Sequence, residues 1–533
     1  MKQLLTTLFV CLLLQAQTFA QTRYLDPVFD KVKVTDGVVY GNNATVLFFT
    51  VLNQAIPENL VMDVYEPEGD TETARPLVLY FHTGNFGPFL NPATGAPGFN
   101  GSCGGTRKDS AAVEMCTRLA KMGYVVASCD YRLGWQPTNP DELLRRFSLI
   151  NAAYRGVQDA RTAVRFFRRN AAEDGNDYKV DTDRISIWGQ GTGGYIGYAV
   201  ATLDNYLKIP TASSDVGKFL WKVPNSSTPD PTDSIIVPMV LESINGDING
   251  TSYGVTSATT VPNPNDTLCY PNHVGYSSDF HLMVNMGGAL GDSSWVDPGQ
   301  VPMISFQVPT DPFAPYTEGI LTVPGVNFQV VEVQGAYVVQ KMQDDFNNND
   351  AFANLTLDLS GAQQSAFARS PAGLQEVRAG LYPFVRSGAF DSAPWEWSDV
   401  VPGNPTCNVG PAAKAIALAH IDTIMRFVAP RACYALGIQP CIDAIVSARE
   451  PLATQVQVTL APNPAVSQVL IQAPEDKTIL NLQVIDAMGR VVRDVPAVNN
   501  NNYLLQRNGL TAGNYVVVVR FEEGVVAKVL RME

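Results

Sequence analysis

Histidine is scarce in this sequence. Only four occur among 533 residues: His82, His273, His281 and His420. Any chemistry that needs an imidazole base must draw on one of them. Positive charge is also short, with 37 Lys and Arg against 51 Asp and Glu and a formal charge of −14. That balance argues against nucleic-acid binding, which depends on a basic face. Beyond the N-terminus no apolar run is long enough to span a bilayer. No Cys-x-x-Cys pair and no Cys/His cluster has zinc spacing, so no metal and no cofactor is expected.

What is present starts with an export signal. Lys2 supplies the positive end, Leu4 to Leu14 the apolar run, and Thr18-Phe19-Ala20 the small residues before a cut at Gln21. Residues 1–20 therefore read as a signal peptide and the mature protein as exported. Seven cysteines remain after the cut: Cys103, Cys116, Cys129, Cys269, Cys407, Cys433 and Cys441. An odd number leaves at least one thiol free or paired between chains. Cys433 and Cys441 are the closest pair and the first expected bridge. Cys116 falls in a helical pattern and reads as a small core residue.

From 21 to 446 strands and helices alternate. "NLVMDVYEPEGD" (59–70) reads as an edge strand and "RPLVLYFH" (75–82) as a buried one. A helix (110–123), a strand (124–133), a long helix (151–173), a strand (184–189) and a helix (194–203) follow. This alternation predicts a doubly wound, mostly parallel α/β sheet. An insertion of loops is expected near 212–280. The segments 282–295, 301–316 and 327–335 return to the sheet, and 412–436 is helical. "DDFNNND" (344–350) reads as a solvated loop. An EF-hand frame fails there, because Asp350 stands where glycine is needed and Thr356 where glutamate is needed. Residues 447–455 read as a linker. From 456 to 533 short strands and Asn/Gly turns predict a small antiparallel β-sandwich.

The chemistry-bearing stretch is "WGQGTGGY" (188–195), placed between a strand and a helix. That is the setting of a nucleophile elbow, G-x-S-x-G, but Gly191 stands where the serine belongs. With "LVLYFHTGNF", "GYVVASCDYRLG" and "VPMISFQVPTDPFAPY", it resembles the α/β-hydrolase superfamily in its carboxylesterase and feruloyl/acetyl-esterase-like branch. The last 80 or so residues resemble the sorting domain of the type IX secretion system. Pro462-Asn463-Pro464, Asp486–Val492, Leu510–Tyr515 and the strand around Lys528 carry that likeness. It implies the type IX machinery as partner, and release outside the cell or attachment to its surface.

The first resemblance assigns positions. Gly191 holds that of the nucleophile and Asp311 that of the acid. The base should follow Asp311 on the loop after the next strand. Taking that strand as 327–335 puts Tyr337 at the position of the missing histidine. His82, Gly84, Asn85 and Thr192 form the oxyanion region, with His-Thr-Gly-Asn in place of His-Gly-Gly-Gly. Serine and histidine act as a unit, and losing either costs several powers of ten in rate. The expectation is a catalytically degenerate esterase-like protein that keeps a ligand or partner cleft. An active hydrolase with a displaced nucleophile remains open, using Thr192, Ser293 or Ser294 with His420 or His281 as base. So does a surface glycan- or partner-binding protein working through the insertion, where Tyr253, Tyr270 and Tyr276 stand among polar residues.

Overall fold

The computed structural model describes residues 21–84, 86–87, 89–90, 97–98, 105–212, 217–225, 227, 232–257, 265–323, 327–353, 355, 378–384, 392–397, 410–445, 456–486, 491–521 and 524–533. Residues 1–20, which read as a signal peptide, Asn85, Cys103, Cys407 and residues 447–455, which read as a linker, lie outside them. The chain divides into two units, Met1–Ile438 and Gln439–Glu533.

The first unit is built on one eight-stranded sheet. Its strands are β1 (Val32–Thr45), β2 (Ile56–Pro67), β3 (Arg75–Phe81), β4 (Val125–Cys129), β5 (Val180–Gln190), β6 (Leu282–Met286), β7 (Met303–Gln307) and β8 (Leu381–Pro383). Their spatial order is β1-β2-β4-β3-β5-β6-β7-β8. β1 and β2 pair antiparallel, and everything from β4 to β8 is parallel. Central strands buried on both faces must be apolar throughout. Accordingly, all seven residues of β3 are buried.

The helices α1 (Ser110–Lys121), α2 (Glu142–Glu173), α3 (Thr192–Thr202), α4 (Ala336–Asp345) and α5 (Pro411–Ala435) accompany this sheet. α1 buries Ala111, Ala112, Met115, Cys116, Leu119 and Ala120, the helical stripe of its sequence. Asp141 caps α2 by accepting from the Leu143 and Leu144 amides. α2 and β4 are joined by a fully buried ion pair, Arg132–Asp159 at 2.8 Å. Arg132 also donates to Gln158 Oε1 at 2.9 Å. The arginine of "DYRL" and the aspartate of "VQDAR" are thus a structural clamp.

Four expectations change. Residues 59–70 are no edge strand, because β1 takes the edge and β2 lies inside it. Phe328–Gln334 pairs antiparallel with Glu318–Val323 in a separate two-stranded sheet and is no part of the main one. The insertion near 212–280 is more ordered than loops. It holds a hairpin, Leu220–Pro224 with Ser234–Pro238, and its carbonyls accept bonds from α2. "DDFNNND" is not simply a solvated loop either. Asn349 is buried, its carbonyl accepting from the Met303 amide and its amide donating to Gln340. Asn348 bridges Gly299 and Asp297 in the same way.

Among the thiols, Cys433 and Cys441 are both disulfide-bonded, whereas Cys116, Cys129 and Cys269 are buried and free. The described strands of the second unit pair antiparallel. Thr459–Ala461, Gln468–Gln472 and Asn502–Gln506 form one sheet, and Asn481–Ile485, Val491–Val495, Gly513–Phe521 and Gly524–Met532 another. Alternate residues such as Val469, Ile471, Leu482, Val484, Val517 and Val519 fill its core.

Breaking a buried ion pair from one side strands a charge without a partner. Asp159→Asn is expected to lower unfolding stability by about 3–5 kcal/mol, measured by urea denaturation of the mature chain.

Candidate active-site cleft

The C-terminal ends of β3, β5, β6 and β7 converge on one turn. Gly191 sits there between β5 and α3, with φ 51° and ψ −112°. Its amide donates to Met286 O at 2.7 Å, and the next turn is held by Gly193 N to His82 O at 3.1 Å. The sharp strand-to-helix turn of an elbow is therefore fully built.

A side chain on Gly191 would require Thr83 to move. A Cβ placed on Gly191 would lie 1.7 Å from Thr83 Oγ1. That separation is close to a covalent C–O bond length, so the Thr83 hydroxyl stands about where a serine oxygen would be. It donates to Gln190 O at 3.1 Å. Thr83 belongs to the "HTGN" segment, and its importance was missed in the sequence. The departure from His-Gly-Gly-Gly was the available signal.

The oxyanion region is braced from behind. His82 is buried, with Nε2 3.1 Å from Asp130 Oδ1 and Nδ1 bonded to Thr83 O. Its ring stacks on Tyr131 at 4.8 Å. Tyr131 donates to His82 O and Thr83 O at 2.9 and 3.1 Å. Thr192, the first residue of α3, hydrogen-bonds to the same phenol. Burial would raise the Asp130 pKa, but bonds from His82 and Arg107 outweigh it and hold the carboxyl below its usual range. Gly84 takes φ 138°, a conformation side chains rarely adopt.

Asp311 is buried on the other side of the cleft. It accepts from the amides of Phe313 at 2.7 Å and Ala314 at 3.3 Å. Among the described residues no histidine or basic side chain bonds to it. Burial therefore dominates, and its pKa is pushed up to about 8.

The remaining candidates do not join this group. Tyr337 opens α4 beyond the separate hairpin, with its ring 5.7 Å from Tyr316. The main-sheet strand after β7 is β8, so the chain that follows β8 is the topological place for a base. Its described part, Ser392–Trp397, does reach the cleft. Gln190 Nε2 donates to Glu396, and Tyr80 donates to Gln190 Oε1. Trp395 is fully buried, its ring 3.6 Å from a Cβ placed on Gly287, the same point that lies 3.8 Å from Asp311 Oδ2. Glu396 also titrates high, near 8, chiefly through burial and further through the charges of Asp109 and Asp311. Nothing in the local sequence marked Glu396, because its place depends on which strand completes the sheet.

Ser294 donates to Asp292, which pairs with Lys218 in a buried ion pair at 2.9 Å, and the Ser293 amide donates to Gln334. His420 lies within α5, donating to Ile416 O and packing edge-on against Phe384. His281 precedes β6, at the far end of the strand from the elbow, where Nδ1 accepts from the Ile185 amide. Among the described residues no group of His, Cys, Asp and Glu could hold a metal ion.

Residues 62–219 match the BD-FAE family and residues 459–531 the Secretion system C-terminal sorting domain. The esterase-like α/β-hydrolase match thus covers part of the first unit, and a type IX sorting domain lies in the second. Among solved structures, esterase Est2 of the Planctomycetes species Thermogutta terrifontis, propionate-bound, aligns at 13% identity and TM-score 0.34, over 74% of this chain and 93% of its own. The same esterase phosphorylated by paraoxon aligns at 14% and 0.32, over 73% and 92%. A truncated carbohydrate esterase from gut microbiota aligns at 13% and 0.29, over 60% and 85%. The sorting domain implies secretion, with a surface or extracellular location. No helix among the described residues is long and apolar enough to cross a membrane.

Two outcomes follow from the hydrolase cleft. Gly191→Ala is expected to cost about 3 kcal/mol or more alone, and Thr83→Gly is expected to relieve only the clash, leaving about 1–3 kcal/mol of backbone strain from φ 51°, as a double-mutant cycle of unfolding energies will show. Asp311 binds its proton more tightly folded than unfolded, so its contribution holds below the ordinary carboxylate range and is lost as pH rises toward 8. Asp311→Asn is therefore expected to match the wild type near pH 4 and to exceed its stability at pH 8.5 by several kcal/mol, in urea unfolding at the two pH values.

Proposed function

We propose that this secreted hydrolase-fold protein does not hydrolyse esters and uses its former catalytic cleft to bind a ligand or partner. One observation carries the reading: Gly191 keeps the elbow conformation while the Thr83 hydroxyl fills the space of its side chain. A serine placed there would have to displace the Thr83 hydroxyl and would find no imidazole bonded to the acid position among the described residues. The surroundings agree. The acid position has no imidazole to orient, and burial holds Asp311 protonated at neutral pH. An ionised carboxylate is what a serine triad asks of its acid.

The displaced-nucleophile reading draws no support from its candidates. Ser294 is committed to Asp292, Thr192 to Tyr131, and His420 and His281 bond to backbone. The insertion reading has one exposed ring, Tyr253, packed edge-on against Tyr270 at 6.3 Å, while Tyr276 bonds to Glu173. Most of what the insertion touches is α2, which suits a structural part.

The purified mature protein is expected to take up no fluorophosphonate probe and to release no product from short-chain acyl esters above the buffer rate. Gly191→Ser alone is expected to behave the same. Labelling of the native wild type, mapped to any residue of the cleft, would sink the reading.

A further inference from the structure

The segment after β8 lies across the ends of β5 and β6. Its two holds are distinct. Glu396 accepts from Gln190, the residue just before the elbow glycine. Trp395 lies fully buried against Gly287, beside Asp311. A short turn, Glu396 N to Ala393 O at 2.9 Å, presents both side chains to the cleft. We propose that Ser392–Trp397 is a built-in strap that closes the cleft and is released as pH rises. This inference rests on the binding-cleft reading and assigns that cleft its regulation.

The seat is incomplete in a way that favours release. The indole N–H groups of Trp395 and Trp397 are buried without a hydrogen-bond partner among the described residues. A buried donor left unpaired costs stability that exposure to water recovers. The closed strap is thus held against a standing penalty. A ligand offering acceptor oxygens would relieve the same penalty.

The pH response comes from the groups that face Glu396. Gln190 approaches it from β5, Tyr80 lies behind Gln190 on β3, and the charges of Asp109 and Asp311 reach it from before α1 and from after β7. Lys414 of α5 lies 5.7 Å over the Trp397 ring, on the neighbouring residue. Burial favours the protonated carboxyl, as does the charge of Asp109, joined by that of Asp311 once it ionises near pH 8. Closing therefore takes up a proton, and closure weakens as pH climbs from the ordinary carboxylate range toward 8. Released into water, Glu396 ionises at no such cost.

Deuterium exchange of the mature full-length chain tests this, reading the 392–397 amides and normalising to core amides of α2. Glu396→Gln keeps an acceptor for Gln190 and cannot ionise. At pH 5.5 it is expected to exchange like the wild type. At pH 8.5 the wild-type strap is expected to exchange at least fivefold faster than the variant. Trp395→Ala is expected to speed strap exchange at both pH values. Equal exchange of wild type and Glu396→Gln at pH 8.5, or no response to Trp395→Ala, overturns the strap. Fluorophosphonate labelling separates the two ideas. Labelled wild type with the exchange contrast intact removes the binding-only reading and leaves the strap, whereas lost contrast without labelling removes the strap alone.

Discussion

The turn from β5 into α3 is packed too closely for side chains, and the architecture of the cleft follows from that crowding. A Cβ on Gly189 would sit 2.0 Å from Gly193 O, and one on Gly193 would sit 2.0 Å from Phe81 O. The helix start, the end of β3 and the elbow are pressed backbone to backbone. Only in such a setting can a hydroxyl from the neighbouring loop lie where the elbow's own side chain would project. Thr83 and Gly191 are two halves of one steric arrangement, because the threonine needs the space that the glycine leaves.

Around this turn, residues that look catalytic in sequence have become framework. His82 faces Asp130 and the Thr83 carbonyl, and Tyr131 fastens the same loop through two carbonyls. Arg132 is locked to Asp159 out of contact with solvent. Each satisfies a buried polar group, and His82 with Tyr131 holds the loop that carries Thr83. The base of the cleft is thus hydrogen-bonded throughout its loop, and Glu396 and Trp395 of the chain after β8 reach the ends of β5 and β6. Two carboxyls without a cation, Asp311 and Glu396, face this space with raised pKa values.

Much of the fold was legible because it is local. Alternating apolar runs and helical stripes located β3, β4, β5, α1, α2 and α3, and the turn-rich tail announced an antiparallel sandwich. The misplacements had one cause. Residues 327–335 have the composition of a buried strand, and nothing within them says which sheet they join. Reading them as the next strand of the main sheet carried the base position to Tyr337. The sheet is completed by the three residues Leu381–Pro383, too few for a periodic signal. The buried roles of Asn348 and Asn349 were hidden for a similar reason, since a polar run reads as solvated until its distant backbone partners are known.

The sequence by itself determined that an elbow is present and that its serine is gone, because G-x-G-x-G is a backbone pattern and glycine carries no oxygen. It also determined the sorting tail, whose motifs follow one another within a short stretch. Tertiary structure alone decided what fills the vacated position and what covers it. Thr83 and Gly191 are over a hundred residues apart, and Glu396 lies two hundred beyond them. Their meeting depends on parallel strands that bring distant chain ends to one edge, and no local pattern encodes a contact made across a sheet.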